Sequence, residues 1–300
     1  MQRETGYFNV LADFGFKRTF MNKEILMAFL NAFLEPMVPR IVDIEYRPTE
    51  QLGATDQEKR IIDDIVCTDK TGRRFIVEMQ RARQGFFLDR IFVYASAAIA
   101  GQAKRGDRVY RVDPVYCFCI LDFEPEVLKG SDQFFHFFQF TDPESGITLP
   151  QEALCFLVLT RFSKKLQGPE EWERLSEREK WAYALKHSTE FGDPEFSHVT
   201  GIFAELKKIC RLSKLNDMEI LEYKKSVLDY EDVKDAVRCS YEDGEKDGVK
   251  KGMEKGRETG REEGREEGIL AVAKNLKFVG VPAATIAEAT GLSMKQVEAL

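Results

Sequence analysis

The chain reads as an α/β protein: a helix, three strands, a second helix and a further strand form a core, and an α-helical C-terminal region follows. Three observations predict this. Apolar residues near the N-terminus recur at helical spacing, two apolar runs flank a tight polar turn, and beyond Pro169 the pattern turns helical.

Phe16, Phe20, Ile25, Leu26, Phe29, Leu30 and Phe33 place one helix over residues 13–34. Residues 39–46, ending in Asp43-Ile44-Glu45-Tyr46, alternate enough for a strand, and polar residues 48–58 follow as a loop. Residues 60–67 and 74–80 flank Asp69-Lys70-Thr71-Gly72, a hairpin signal. A helix, apolar on one side, is expected over residues 86–104. Residues 115–123 and 153–159 read as buried strands, because β-branched and aromatic residues fill them without alternation. From residue 169 to about residue 239 the pattern is amphipathic and helical, as Leu206, Ile209, Cys210, Leu212 and Leu215 illustrate. The expected divisions are therefore an α/β domain over residues 1–168, a helical region over 169–240, a charged arm or linker over 241–268 and a small helical, helix-turn-helix-like tail over 269–300.

Composition narrows the function. Of 300 residues, 43% are hydrophobic and 32% charged, which fits a soluble chain with a proper core. The net charge of −7 argues against coating nucleic acid by bulk electrostatics. The acidity is uneven, however. Residues 1–120 hold 18 basic and 16 acidic side chains, and the remainder holds 26 and 35, so the N-terminal part is free to meet a polyanion. No apolar run approaches the roughly 20 residues of a membrane helix, and the N-terminus has no apolar signal segment, so a cytoplasmic location is expected. The six cysteines form no C-x-x-C pair and read as buried thiols, and His136, His187 and His198 are scattered, which argues against zinc. Neither G-x-S-x-G nor a P-loop occurs.

Two acids stand out. Asp64 and Glu78 interrupt otherwise apolar strands, where an ionised carboxylate is costly unless a cation or a donor meets it. Alternation turns Glu78 and Gln80 to one face, and the hairpin lays Asp64 beside it. Two converging carboxylates suit a hard octahedral cation such as magnesium; the alternative is a solvated pair on an exposed hairpin face. Arg81, Arg83 and Arg90 cluster past this strand, either as a phosphate-binding edge or as a solvated rim. Asp13 sits where a helix cap would.

The stretch from Asp64 through Glu78 to Gln80 resembles the core of the PD-(D/E)XK nuclease family transposases, and Asp13-Phe14-Gly15-Phe16-Lys17 resembles their N-terminal D-F-G-F-K element. Arg90, Tyr94 and Gln102 on the following helix, then Val115-Tyr116, continue the likeness, which covers about half the chain. The resemblance implies a restriction-endonuclease-like fold with a mixed sheet and metal-dependent cleavage of DNA. It implies Asp64 and Glu78 as metal ligands, with magnesium first and manganese or calcium as alternatives, and DNA as partner. Gln80 holds the place that lysine takes in the wider superfamily; glutamine can hydrogen-bond a water but supplies no charge. Lys17 or Arg90 is then the source of positive charge. Asp13, Tyr94 and Gln102 are expected in support, by capping, packing or site contacts.

Gly244, Gly248, Gly252, Gly256, Gly260, Gly264 and Gly268 recur every fourth residue among charged residues. Each costs a helix about 1 kcal/mol relative to alanine. The segment reads either as an oligomerisation arm that orders on association or as a flexible charged tether. Residues 269–300 read as three short helices; 285–300 resemble a helix-turn-helix with Gly291 in the turn, yet Lys295 is the sole cation of the second helix, so docking or dimer packing suits it better than base reading. The expected function is a metal-dependent DNA endonuclease; the alternative is a catalytically weak DNA-binding or assembly protein on the same fold.

Overall fold

The computed structural model describes residues 6–51, 61–62, 64–82, 85–103 and 111–300. They fall into two compact units, residues 1–237 and 238–300.

The first unit is built on a mixed six-stranded sheet. Its strands are β1 (Ile44–Arg47), β4 (Ile65–Asp69), β5 (Arg74–Gln80), β6 (Val115–Leu121), β7 (Phe135–Thr141) and β8 (Thr148–Val158), in the order β1-β4-β5-β6-β8-β7. The hairpin strands β4 and β5 are antiparallel, whereas β5, β6 and β8 run parallel. With α1 (Asp13–Phe20), α2 (Lys23–Leu34) and α3 (Phe87–Ala100), this is the expected helix, three strands, helix, strand order. A small antiparallel pair, β2 (Glu50–Gln51) with β3 (Ile61–Ile62), lies outside the main sheet. Of this pair, β2 falls in the loop expected over residues 48–58 and β3 in the strand expected over residues 60–67; residues 52–58 of that loop lie outside the described residues.

The sheet separates two cores. Phe75, Val77, Tyr116 and Phe118 face the larger one, with α1, α2 and the later helices. Ile76, Cys117, Cys119 and Phe156 face the smaller one, beneath Phe87, Ile91 and Ala95 of α3. Aromatic rings fill the large core: Phe29 lies 4.9 Å from Phe118 and 5.4 Å from Trp181, centroid to centroid. Helices α4 (Pro169–Glu173), α5 (Glu177–Lys186) and α6 (Gly201–Ile209) belong to this unit, because Trp172, Trp181, Phe203 and Leu206 are buried in the same core. Cys67, Cys117, Cys119, Cys155 and Cys210 are buried free thiols, and Cys239 is exposed.

Three elements differ from the sequence reading. The helix expected over residues 13–34 is two helices, because the Asn22 side chain accepts a hydrogen bond from the Ile25 amide at 3.1 Å and starts α2 afresh. The strand expected over residues 60–67 is interrupted at Asp64, whose amide donates to the Glu78 side chain rather than to a ladder carbonyl. Strand β7 was not foreseen. It is an edge strand with Phe138 and Phe140 exposed, so its aromatic run lacks a clean alternation.

Helix α7 (Asp217–Phe278) begins in the first unit and supplies most of the second. The seven repeat glycines all lie within it, and a Cβ added at any of them would meet nothing within 4 Å. Of the three short helices expected over residues 269–300, the first is thus the end of α7. The others are α8 (Ala283–Thr290) and α9 (Met294–Ala299), which bury Ile286 and Val297 against Ala273. A capping box between Ser293 and Gln296 opens α9.

Candidate active site

The β4–β5 register pairs Ile65 with Val77, so the next position places Asp64 opposite Glu78. Side chains close that gap. The Asp64 amide donates to Glu78 Oε1 at 2.9 Å, and the Met79 amide donates to Asp64 Oδ2 at 2.9 Å. Glu78 is only 4% exposed, and its strand partner on β6 is Cys119, at the border of the smaller core. Burial pushes the Asp64 carboxyl above its ordinary pKa; the Met79 amide and the charges of Lys17 and Arg81 oppose that rise, and Asp13 adds to it. Burial also raises the Cys119 thiol, with Glu78 among the contributors, so this cysteine stays neutral.

Gln80 follows two residues on, on the same face. Its Nε2 donates to Glu78 Oε2 at 3.1 Å, and its Oε1 accepts from Arg90 Nη2 on α3. The amide is thereby oriented, nitrogen toward the acid and oxygen toward the guanidinium. Arg90 also lies over the Tyr94 ring, with Cζ 5.9 Å from the centroid, which gives its planar charge a wall to rest on. Arg90 is thus turned inward to Gln80 and is not the solvated rim considered from sequence.

Lys17, Asp13 and Arg81 form a second cluster, whose charges reach Asp64. Lys17 Nζ lies 3.0 Å from Asp13 Oδ1, and Arg81 Nη2 lies 3.6 Å from the same oxygen. Asp13 does not cap α1: the N-cap is Ala12, and the Asp13 carboxylate holds two cations instead. Gly15 lets α1 pack closely on the segment that precedes it, since a Cβ there would overlap the Asn9 carbonyl. All three charged residues line a cleft of ≈ 1110 Å³.

One of the remaining sequence candidates stands apart. Gln102 Nε2 donates to the Asp113 carbonyl at 3.0 Å, and its Oε1 accepts from the Asp113 amide at 2.8 Å, so it ties the end of α3 to the segment before β6. Arg83 lies outside the described residues. One neighbouring cluster had no sequence signal. The Asp122 amide donates to the Gln80 carbonyl at 2.9 Å, and the Asp122 carboxylate accepts from Tyr230 Oη at 2.7 Å and pairs with Lys234 at 3.0 Å. The start of α7 is thereby fastened to the strand end beside Gln80, across 108 residues of chain.

Among the described residues no group of three or more His, Cys, Asp and Glu side chains is arranged to hold a metal, so the acid set here is a pair. The pair fits a divalent cation in chemistry: hard carboxylate oxygens, one of them on an acid whose ionised form burial disfavours and a cation would favour. Nor is any helix of the described residues long and apolar enough to cross a membrane.

The family model of the PD-(D/E)XK nuclease family transposases matches residues 10–240, which include both strands of the acid pair and every helix that surrounds it in the first unit. No curated protein and no solved structure matches the chain.

Proposed function

We propose that this chain, which belongs to the PD-(D/E)XK nuclease family transposases, is a metal-dependent endonuclease that hydrolyses phosphodiester bonds of DNA in the service of recombination. The observation that carries the reading is the Asp64–Glu78 pair. Two carboxylates from opposed positions of an apolar hairpin hold each other through backbone amides, and burial makes the charge on Asp64 costly. A divalent cation would offset that cost, and magnesium is the one proposed, with manganese and calcium as substitutes for testing. When bound, such a cation polarises the phosphate and lowers the pKa of the attacking water.

The chain's own groups do the rest. Asp64 and Glu78 hold the cation. Gln80 keeps the Glu78 carboxylate aimed through its amide nitrogen. It carries no charge, and Arg90 behind it and Lys17 beside Asp64 supply the positive potential that a lysine at position 80 would have given. Lys17 and Arg81 line the cleft and offset phosphate charge, and Arg83 is proposed to join them. Tyr94 supports Arg90. The chain is also proposed to form a homo-oligomer through its C-terminal region.

A plasmid-nicking assay with magnesium, manganese or calcium tests this against Asp64→Ala and Glu78→Ala. The expected result is metal-dependent nicking that falls by at least about a thousandfold in both variants, the loss of roughly 4 kcal/mol of transition-state stabilisation. Nicking that is equal in all three proteins would reject both ligands. Intact DNA binding without nicking in the wild type would favour the alternative, a DNA-binding assembly protein, with Gln80 as its cause.

A further inference from the structure

We infer that the helical region after the sheet, residues 201–229, forms the second wall of the substrate cleft and grips the phosphate backbone of duplex DNA through Lys208, Lys214 and Lys225. This rests on the nuclease reading above and assigns a binding role to a stretch that the sequence left without one.

The cleft has two sides. Asp13, Lys17, Arg18 and Arg81 contribute from α1 and the end of β5. Lys208 from the end of α6, Lys214 from the turn that follows it, and Lys225 from the start of α7 contribute from the other side. Residues from both sides belong to the same compact unit, so the walls are fixed to one another. The fixing contacts are visible: Arg18 Nη1 pairs with Glu219 at 2.6 Å, and Tyr223 Oη accepts from the Asn9 amide at 2.9 Å.

Charge distinguishes this cleft. The chain as a whole carries −7, and its C-terminal part carries the acidity. The cleft lining nevertheless holds six lysines and arginines against four acids. Pairing spends both signs, Asp13 with Lys17 and Arg81, and Glu205 with Lys208 at 3.2 Å, so the lining as a whole is positive by two charges. Lys208, Lys214 and Lys225 are all exposed. An ammonium on a flexible stem is a point charge that meets phosphates without reading bases. The lining includes Lys17, Arg81 and Asp13, the groups whose charges reach Asp64.

The test is equilibrium binding of a fluorescent duplex to the full chain in the presence of a chelator, so that no cleavage intervenes, over a range of salt. Three proteins are compared: the wild type, Lys208→Ala/Lys214→Ala/Lys225→Ala, and a control of equal charge change, Lys70→Ala/Lys129→Ala/Lys164→Ala. All six positions are exposed, and a melting curve checks each fold. Each lost phosphate contact lowers the slope of log K against log salt by about 0.9. The cleft variant should therefore lose up to about 2.7 of slope and bind at least about tenfold more weakly at low salt, with the control close to wild type. Arginine at the three cleft positions should keep the wild-type slope. A cleft variant no weaker than the control overturns the inference while the nuclease reading stands. A wild type that neither binds nor nicks DNA overturns both, and so the two failures are told apart.

Discussion

The acid pair and the glycine repeat are opposite answers to the same question, what a residue is held by. In the sheet, Glu78 touches the Asp64 amide and the Gln80 amide, Gln80 touches Arg90, and Arg90 rests on Tyr94. Each residue's chemistry there is set by its neighbours. Along α7, a Cβ added at Gly244 or any glycine of the series to Gly268 would meet nothing within 4 Å. The residues of that stretch keep only their intrinsic preferences. Function in the first unit is therefore a matter of contacts, and in the second unit it waits on whatever the helix face meets.

One substitution made in both regions sharpens this difference. Gly15→Ala places a Cβ on the Asn9 carbonyl, a backbone atom that cannot swing aside. Overpacking of this kind costs about 3 kcal/mol, which in a domain of this size lowers the melting temperature by roughly 10 °C. Differential scanning calorimetry measures it. A melting temperature within a degree or two of wild type would mean that α1 is less tightly seated than the contacts imply.

Next in size is Arg90→Met. Methionine keeps the length of the side chain and removes the donor to Gln80. Gln80 is then free to turn its amide, and Glu78 loses an oriented partner. Loss of such an outer hydrogen bond typically weakens metal binding by 10–100-fold, and about tenfold is expected here for manganese by calorimetry. Because Arg90 acts through Gln80, adding Gln80→Met should cost little more. Additive losses would show that the arginine and the amide serve the site independently.

The sequence exposed much of this before any coordinate did, and where it did not the reason is physical. The helix–strand order was legible because apolar periodicity changes with each element, and the opposition of Asp64 and Glu78 followed from alternation about a tight turn. The break at Asn22 was hidden because helical periodicity continues across it; only the local side-chain cap restarts the helix. Strand β7 was hidden because an edge strand half open to solvent need not alternate. The direction of Arg90 depends on how α3 packs on the sheet. Tyr230 and Asp122 meet through tertiary packing alone, which no spacing encodes.

The smallest effect probes the other half of the comparison. Gly252→Ala, Gly256→Ala and Gly260→Ala replace three residues whose surroundings are open, so each should stabilise the helix by about 1 kcal/mol through propensity alone. Circular dichroism should show more helix surviving at high temperature, the reverse in sign of Gly15→Ala. The same variant weighs the two readings of the repeat. A second copy seated against the glycine stripe would need the close backbone approach that alanine prevents, so light scattering on an arm of that kind should show the oligomer lost as the helix strengthens. If mass and helix content both stay at wild-type values, the stripe neither packs nor limits the helix, and self-association does not run through it.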